Sequence, residues 1–275
     1  MSCVYCQANN GIECSHLVMN MEMAEKAVDI ALQSPEQSLC FEFQGGEPLV
    51  NFEIIKHIVE YAEIHKEKHE IAYTVVTNLT LLQDEMLDFF AQYCFGISTS
   101  MDGNELVHNN NRPYADGNGT YKKVTNSIER VRKAGLQIGA IETTTRFSLK
   151  YPREIVHAYI DMGFESIFIR PLTPLGKAAK SWEKIGYTSE EFIEFYRQAL
   201  DELIEINKKG RFIKEDHAAI LLRRIRGDFM NYMELRSPCV AGVGQLAYYA
   251  AGNIFTCDEG RMLHEMGQST FQLGN

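Results

Sequence analysis

Short runs rich in β-branched and aromatic residues alternate along this chain with longer amphipathic stretches, and that alternation restricts the fold more than any other feature. The short runs are Leu39 to Gln44, Ile71 to Thr77, Phe95 to Ser100, Gln137 to Thr144 and Glu165 to Arg170. Around and between them, Met21 to Gln33, Phe52 to Lys66, Leu82 to Tyr93, Thr120 to Lys133 and Pro152 to Met162 carry apolar residues at helical spacing. A helix that crosses back over a sheet sets the next strand parallel to the last. The pattern therefore predicts an α/β fold of βαβ units around a parallel sheet. After Gly176 the alternation gives way to helical stretches at Ser189 to Lys208 and Ile213 to Met230, then to a Gly-rich, aromatic segment from Pro238 to Cys257.

At 275 residues the chain is long enough for one large α/β domain and a small appendage. It contains no apolar run long enough to span a bilayer and does not open with the charged, apolar and small-residue order of a signal peptide. A cytoplasmic, soluble protein is expected. Its formal net charge of -10 argues against nucleic acid or an anionic membrane as partner, since both demand a Lys/Arg excess. The local basic run Arg223-Arg224-Ile225-Arg226 reads as a solvated helix face. Seven cysteines, an odd number, read as thiols and metal ligands rather than a disulfide framework. Cys40 and Cys94 stand in apolar surroundings and read as buried small hydrophobes; Cys14, close to the first cysteine pair, is given no role.

The polar residues at strand ends suggest chemistry. Cys3-Val4-Tyr5-Cys6 opens the chain, and a C-x2-C pair by itself serves zinc or redox chemistry as readily as an iron–sulfur cluster. Gly45-Gly46-Glu47-Pro48 ends a strand: glycines let backbone carbonyls approach a ligand and proline stiffens the exit, although such a pair is also an ordinary turn. Thr77-Asn78 closes the next strand and Ser98-Thr99-Ser100-Met101-Asp102-Gly103 the one after, where the plainer reading is a turn at Asp102-Gly103 with serines capping the following helix. Arg146 and Arg170 follow later strands and suit either a bidentate carboxylate clamp or a pairing with one of the many acidic residues.

The cysteine pair followed by a strand ending in Gly-Gly-Glu-Pro resembles the radical S-adenosylmethionine (SAM) enzymes. That resemblance implies a partial TIM-like (β/α)6 barrel, with reactive groups at the carboxyl ends of the strands. It also implies a [4Fe-4S] cluster on a C-x3-C-x2-C motif, of which Cys3 and Cys6 are the last two ligands. The first would lie two residues before Met1, so the chain reads as cut short of its native start and lacking the barrel's first strand. Three thiolates leave one iron open to chelate SAM, whose reductive cleavage gives a 5'-deoxyadenosyl radical. By the same resemblance Gly45, Gly46, Glu47 and Pro48 receive the SAM ammonium, the Ser100 hydroxyl bonds its carboxylate, and Asn78 and Arg146 complete the cofactor site.

Cys239 through Cys257 resembles the opening C-x(9–15)-G-x4-C element of the SPASM extension, which holds auxiliary Fe–S clusters; the further cysteines of that element are absent. Asp258 matches the aspartate proposed as base in anaerobic sulfatase maturases, a role that fits an oxidation in which proton loss accompanies hydrogen-atom loss. The expected organisation is a radical SAM core over 1–176, a helical bridge over 177–236 and a partial SPASM domain over 237–275. The implied function is radical modification of a peptide or protein side chain, by oxidation or crosslinking, as in sulfatase maturases or the maturases of His-Xaa-Ser peptides. A peptide or protein is then the substrate and a flavodoxin or ferredoxin the reductant. Formylglycine formation in a sulfatase is the second enzymatic reading, and a noncatalytic zinc-binding module is the rival from another class.

Overall fold

The computed structural model describes residues 1–8, 18–227 and 236–275. Six strands form one sheet in the order β1-β2-β3-β4-β5-β6: β1 Ser38–Phe43, β2 Glu70–Val76, β3 Gly96–Ser100, β4 Ile138–Thr143, β5 Ser166–Arg170 and β6 Lys214–Glu215. The sheet pairs register in parallel, with Phe41 opposite Tyr73, Val75 opposite Ile97, Ile141 opposite Phe168 and Ser166 opposite Lys214. Helices α1 Met21–Ala31, α2 Phe52–His65, α3 Asp84–Gln92, α4 Glu105–Asn111, α5 Tyr121–Lys133 and α6 Pro152–Asp161 precede or separate the first five strands. Then come α7 Lys177–Lys180, α8 Trp182–Ile185, α9 Ser189–Lys208 and α10 Asp216–Ile225. The carboxy-terminal part holds a small antiparallel sheet, β7 Ala247–Tyr248, β8 Ile254–Phe255 and β9 Gln272–Gly274, with α11 Asp258–Glu265 between its last two strands.

The described chain divides into two compact units. One contains residues 1–7, 99–126 and 139–240, the other 8–98, 127–138 and 241–275. In the second unit, Phe52, Ile55, Val59 and Ala62 recur at helical spacing on α2 and are buried. Phe52, Phe89, Phe90, Phe95 and Tyr73 form a chain of edge-to-face and tilted ring contacts beside them. In the first unit, α6 buries Ile155, Val156 and Tyr159, and α9 buries Phe195, Ala199 and Leu203. Local signals set the helix starts: Asn20 caps α1 by accepting from Met23 N, Pro152 opens α6, and Thr188 and Glu191 form a capping box at α9.

Four expectations need correction. Ile213 to Glu215 is not helical: Lys214–Glu215 joins the sheet as β6, pairing with β5, and α10 begins only at Asp216. Of the helical stretch expected there, Asp228 to Met230 lies outside the described residues, as does Cys14. The serines of β3 do not cap the next helix; Asn104 does, its side chain accepting from Val107 N. Cys40 and Cys94 are exposed, not buried. Cys40 falls on the opposite face of β1 from the half-buried Leu39, Phe41 and Phe43, while Cys94 occupies a turn with φ 52°. The arginines of the basic run lie on exposed surface at the end of α10.

Candidate functional site

The cysteine loop belongs to the first unit and is held from two sides within it. Ser2 N donates to Pro113 O at 2.7 Å and Val4 N to Asn111 O at 2.9 Å, a short ladder against the end of α4. On the other side Lys177 N donates to Cys6 O at 2.9 Å, Lys177 Nζ to Ser2 Oγ at 3.1 Å, and Gln7 Nε2 to Thr173 Oγ1 at 2.9 Å. Cys6 N reaches back to Cys3 O at 3.4 Å, so both thiols stand on one turn. Both are half-buried. Cys3, Val4, Trp182, Ile185 and Tyr187 pack around the buried Tyr5, Leu172 and Ala178.

Beneath this loop lies a buried polar network. The Tyr5 hydroxyl accepts from Arg112 Nη1 at 2.7 Å and donates to the Asp102 carboxylate, whose oxygens lie 3.0 and 2.9 Å away. Burial pushes the Asp102 carboxyl up to about 6, against the opposing pull of Arg112 and the hydrogen bonds from Tyr5, Asn111 and Thr143. Burial also pushes the Cys3 thiol above its ordinary value; Arg112 opposes this, and Cys6 and Asp102 add to it. For Arg112 itself, burial favours the neutral form but is outweighed by Tyr5, Cys3 and Asp102, so the guanidinium stays charged. Burial, with Arg112, lowers His108 to about 3 and leaves its imidazole neutral. Its Nδ1 therefore accepts from Asp102 N, and its Nε2–H donates to Thr120 Oγ1, which in turn donates to Arg112 O.

In the same unit, Ser100 ends β3 half-buried. Arg146 is exposed; its N donates to Ile185 O at 2.8 Å and its Nε to Gly186 O at 2.7 Å, so the loop after β4 is tied to the end of α8. Cys239 is exposed. Read from sequence, Tyr5 stands only between two cysteines and Asp102 is a turn residue, and neither reading anticipates their contact. The adjacency of a tyrosine to the cysteines, an Asp-Gly at a strand end and an arginine ten residues on is the only trace of it in the chain.

The other unit holds the Gly-Gly-Glu-Pro segment. Gly45 has φ 126°, which excludes other residues, and a Cβ at Gly46 would meet nothing within 4 Å, so the backbone there is open to a ligand. Pro48 opens the 3-10 helix Pro48–Asn51. The Glu47 carboxylate accepts from Thr77 Oγ1 at 2.5 Å, Asn78 N at 2.8 Å and Leu49 N at 3.1 Å, joining the loop after β1 to the loop after β2. Asn78 Oδ1 accepts from Thr80 N and Thr80 Oγ1, a closed turn. Cys257 caps α11, its Sγ accepting from Gly260 N at 3.4 Å, and Asp258 Oδ1 pairs with the buried Arg261 at 2.8 Å.

Comparison with known proteins bears on the family and the fold. The Radical SAM superfamily profile matches residues 1–154. An uncharacterized protein of Methanothermobacter thermautotrophicus is 28% identical over 204 residues, which is 74% of each chain. The cysteine-type anaerobic sulfatase-maturating enzyme of Clostridium perfringens is 24% identical over 266 residues, 94% of this chain and 70% of the enzyme. Among solved structures, native anSMEcpe with bound AdoMet superposes with a TM-score of 0.84 at 22% identity, over 100% of this chain and 74% of that one. SuiB of Streptococcus suis bound to precursor peptide SuiA superposes at 0.66 and 17% identity, over 99% of this chain and 58% of SuiB. At these identities the structural likeness establishes the fold: the parallel sheet is that of the radical SAM partial barrel.

Proposed function

Because this chain belongs to the radical SAM superfamily, an enzyme family built on a [4Fe-4S] cluster and SAM, we propose that it modifies a side chain of a peptide or protein by oxidation or crosslinking. The observation that carries this reading is the cysteine loop: the thiols of Cys3 and Cys6 on one turn, clamped on both sides, above a buried guanidinium. Cys3 and Cys6 are two of the three thiolates that such a cluster takes, and the Arg112 charge offsets the negative charge that thiolates and sulfides bring. When bound, cluster and cofactor supply the 5'-deoxyadenosyl radical. The protein's part is to bind and orient.

In this reading Gly45 and Gly46 present their carbonyls to the SAM ammonium through the space left by their missing side chains. Glu47 holds Asn78 and Pro48 in place, while Ser100 and Arg146 serve the SAM carboxylate. In the same reading residues 1–176 form the core, 177–236 a bridge and 237–275 a SPASM-type segment in which Cys239 and Cys257 serve auxiliary clusters. Asp258 takes the substrate proton, and a flavodoxin or ferredoxin in the cytoplasm supplies the electron. No helix among the described residues is long and apolar enough to cross a membrane. The sulfatase-maturating relatives and the Cys257-Asp258 pair support formylglycine formation as a second reading.

The test is anaerobic reconstitution with iron and sulfide, then incubation with SAM, dithionite and peptides encoded beside the gene. Iron and sulfide in equal amounts, release of 5'-deoxyadenosine and a peptide lighter by two hydrogens are expected. Bound zinc without an iron–sulfur chromophore points instead to the noncatalytic module.

A further inference from the structure

The hydroxyl of Tyr5 connects a buried acid and a buried base that are remote in sequence, and it does so between the two candidate cluster ligands. Asp102 is 0% exposed, Arg112 6% and Tyr5 8%. Charges so buried persist only when paired and hydrogen-bonded, and here a neutral hydroxyl relays between them, accepting from one and donating to the other. Residues on either side of Arg112 accept the backbone hydrogen bonds of Ser2 and Val4, so the network and the ladder fix the same short segment. The guanidinium carbon also lies 5.9 Å from the centre of the Tyr5 ring, so Arg112 meets both the face and the hydroxyl of that residue.

We infer that Arg112 and Asp102 are positioning residues which, through the Tyr5 hydroxyl, anchor the cysteine loop to the carboxyl end of β3 and thereby set how firmly Cys3 and Cys6 hold their cluster. This rests on the proposed function, since it supposes a cluster on these thiols. The network meets the segment between the cysteines through the Tyr5 side chain and through Val4 N on Asn111 O, and of these the tyrosine hydroxyl is the link that a side-chain substitution removes. The remainder of the network is tied to the first unit through other bonds. Asn111 Nδ2 donates to Ser148 Oγ at 3.1 Å, Thr145 Oγ1 to Asn111 Oδ1 at 3.0 Å, and Thr145 N to Ser148 Oγ at 3.1 Å. Removing the hydroxyl therefore cuts the anchor and leaves those bonds, whereas removing Ser148 Oγ cuts two of the three and leaves the anchor.

The experiment measures iron release to a chelator from reconstituted wild type, Tyr5→Phe and Ser148→Ala, beside thermal unfolding of each cluster-free protein. Loss of a hydrogen bond between charged partners raises the release rate of Tyr5→Phe about fivefold or more. Ser148→Ala, though less stable to heat, releases iron at the wild-type rate. Release from Tyr5→Phe at the wild-type rate overturns the anchor, and so does equal acceleration in Ser148→Ala, which would make the effect one of general stability. Zinc held by these thiols in the wild type, with no iron–sulfur chromophore, overturns the functional reading and the anchor with it, while cluster uptake by the wild type with unchanged release from Tyr5→Phe overturns the anchor alone.

Discussion

Replacing Gly176 by alanine tests how the cysteine loop is held. Gly176 has φ 58° and ψ -127°, and a Cβ there would stand 2.6 Å from Cys6 O, 2.7 Å from Gln7 O and 2.9 Å from Gln7 Cα. All three are backbone atoms, so no side-chain rotation relieves the overlap. The chain at Cys6 and Gln7 has to move away, which breaks the 2.9 Å hydrogen bond from Lys177 N to Cys6 O. Forcing a non-glycine residue into this conformation costs about 1–3 kcal/mol, and the lost hydrogen bond adds about 1 kcal/mol. For a chain of this size each kcal/mol lowers the melting temperature by roughly 2–4 °C, so a drop of about 4–16 °C is expected from these terms together. Gly210→Ala is the control: Gly210 also has positive φ, 92°, but a Cβ there meets nothing within 4 Å. It pays the conformational cost alone and leaves the loop in place. The assays are thermal unfolding of the cluster-free proteins and iron bound per chain after reconstitution. If Gly176→Ala melts no lower than Gly210→Ala and binds full iron, the close contact between Gly176 and the cysteine loop does not exist as described.

Three further outcomes follow from the same geometry. Glu142 is fully buried with no hydrogen-bond partner for Oε1 among the described residues, and burial, reinforced by Asp102 and Glu215, holds its carboxyl well above the ordinary value. A folded-state acid with a raised pKa binds more protons than the unfolded chain, so stability falls by up to about 1.4 kcal/mol per pH unit as pH rises above its ordinary value; Glu142→Gln should flatten urea-unfolding profiles between pH 5 and 8, and parallel profiles would refute the assignment. Glu47→Gln keeps the shape but removes the charge that Thr77 Oγ1 and the Asn78 and Leu49 amides share, and should cost about 1–3 kcal/mol with weaker SAM binding by calorimetry; unchanged stability would show that these contacts carry no weight. Asp258→Asn should leave uncoupled SAM cleavage intact while peptide modification falls by roughly 10²-fold or more, the scale of a lost general base; product yield matching wild type removes Asp258 from the mechanism.

The parts of the fold that sequence made legible are those whose signal is periodic and long. The runs at Leu39 to Gln44 and Glu165 to Arg170 are strands to within a residue or so, and Ser189 to Lys208 is the helix expected. β6 is two residues long and leaves no period to read, and α4 is a single turn or two whose cap, Asn104, stands beside Asp-Gly and so reads as loop. The buried network was illegible for a different reason. Tyr5 and Asp102 are 97 residues apart and Tyr5 and Arg112 are 107 apart, and no local pattern encodes a pairing across that distance. Glu142 could have been flagged, because in Ile138–Thr143 it alternates with the buried Ala140 and so places a carboxyl on an apolar face.

The motif residues themselves prove to do two kinds of work that sequence merges into one. Gly45 and Gly46 leave backbone exposed and space beside it, as a ligand requires. Glu47, one residue on, has both carboxylate oxygens occupied by Thr77, Asn78 and Leu49. A carboxylate with three donors already on it has little left to offer an incoming ammonium, since each new bond must displace a satisfied one. Glu47 therefore fixes the two strand-end loops in register, and in the proposed reading the contact with the cofactor falls to the glycine carbonyls. The same division separates Cys3 and Cys6 from Tyr5: the thiols are the proposed cluster ligands, and the residue between them gives its hydroxyl to Arg112 and Asp102. In both motifs the residue with the most polar side chain is the one that binds protein, which is why its substitution should disturb ligand geometry and stability together.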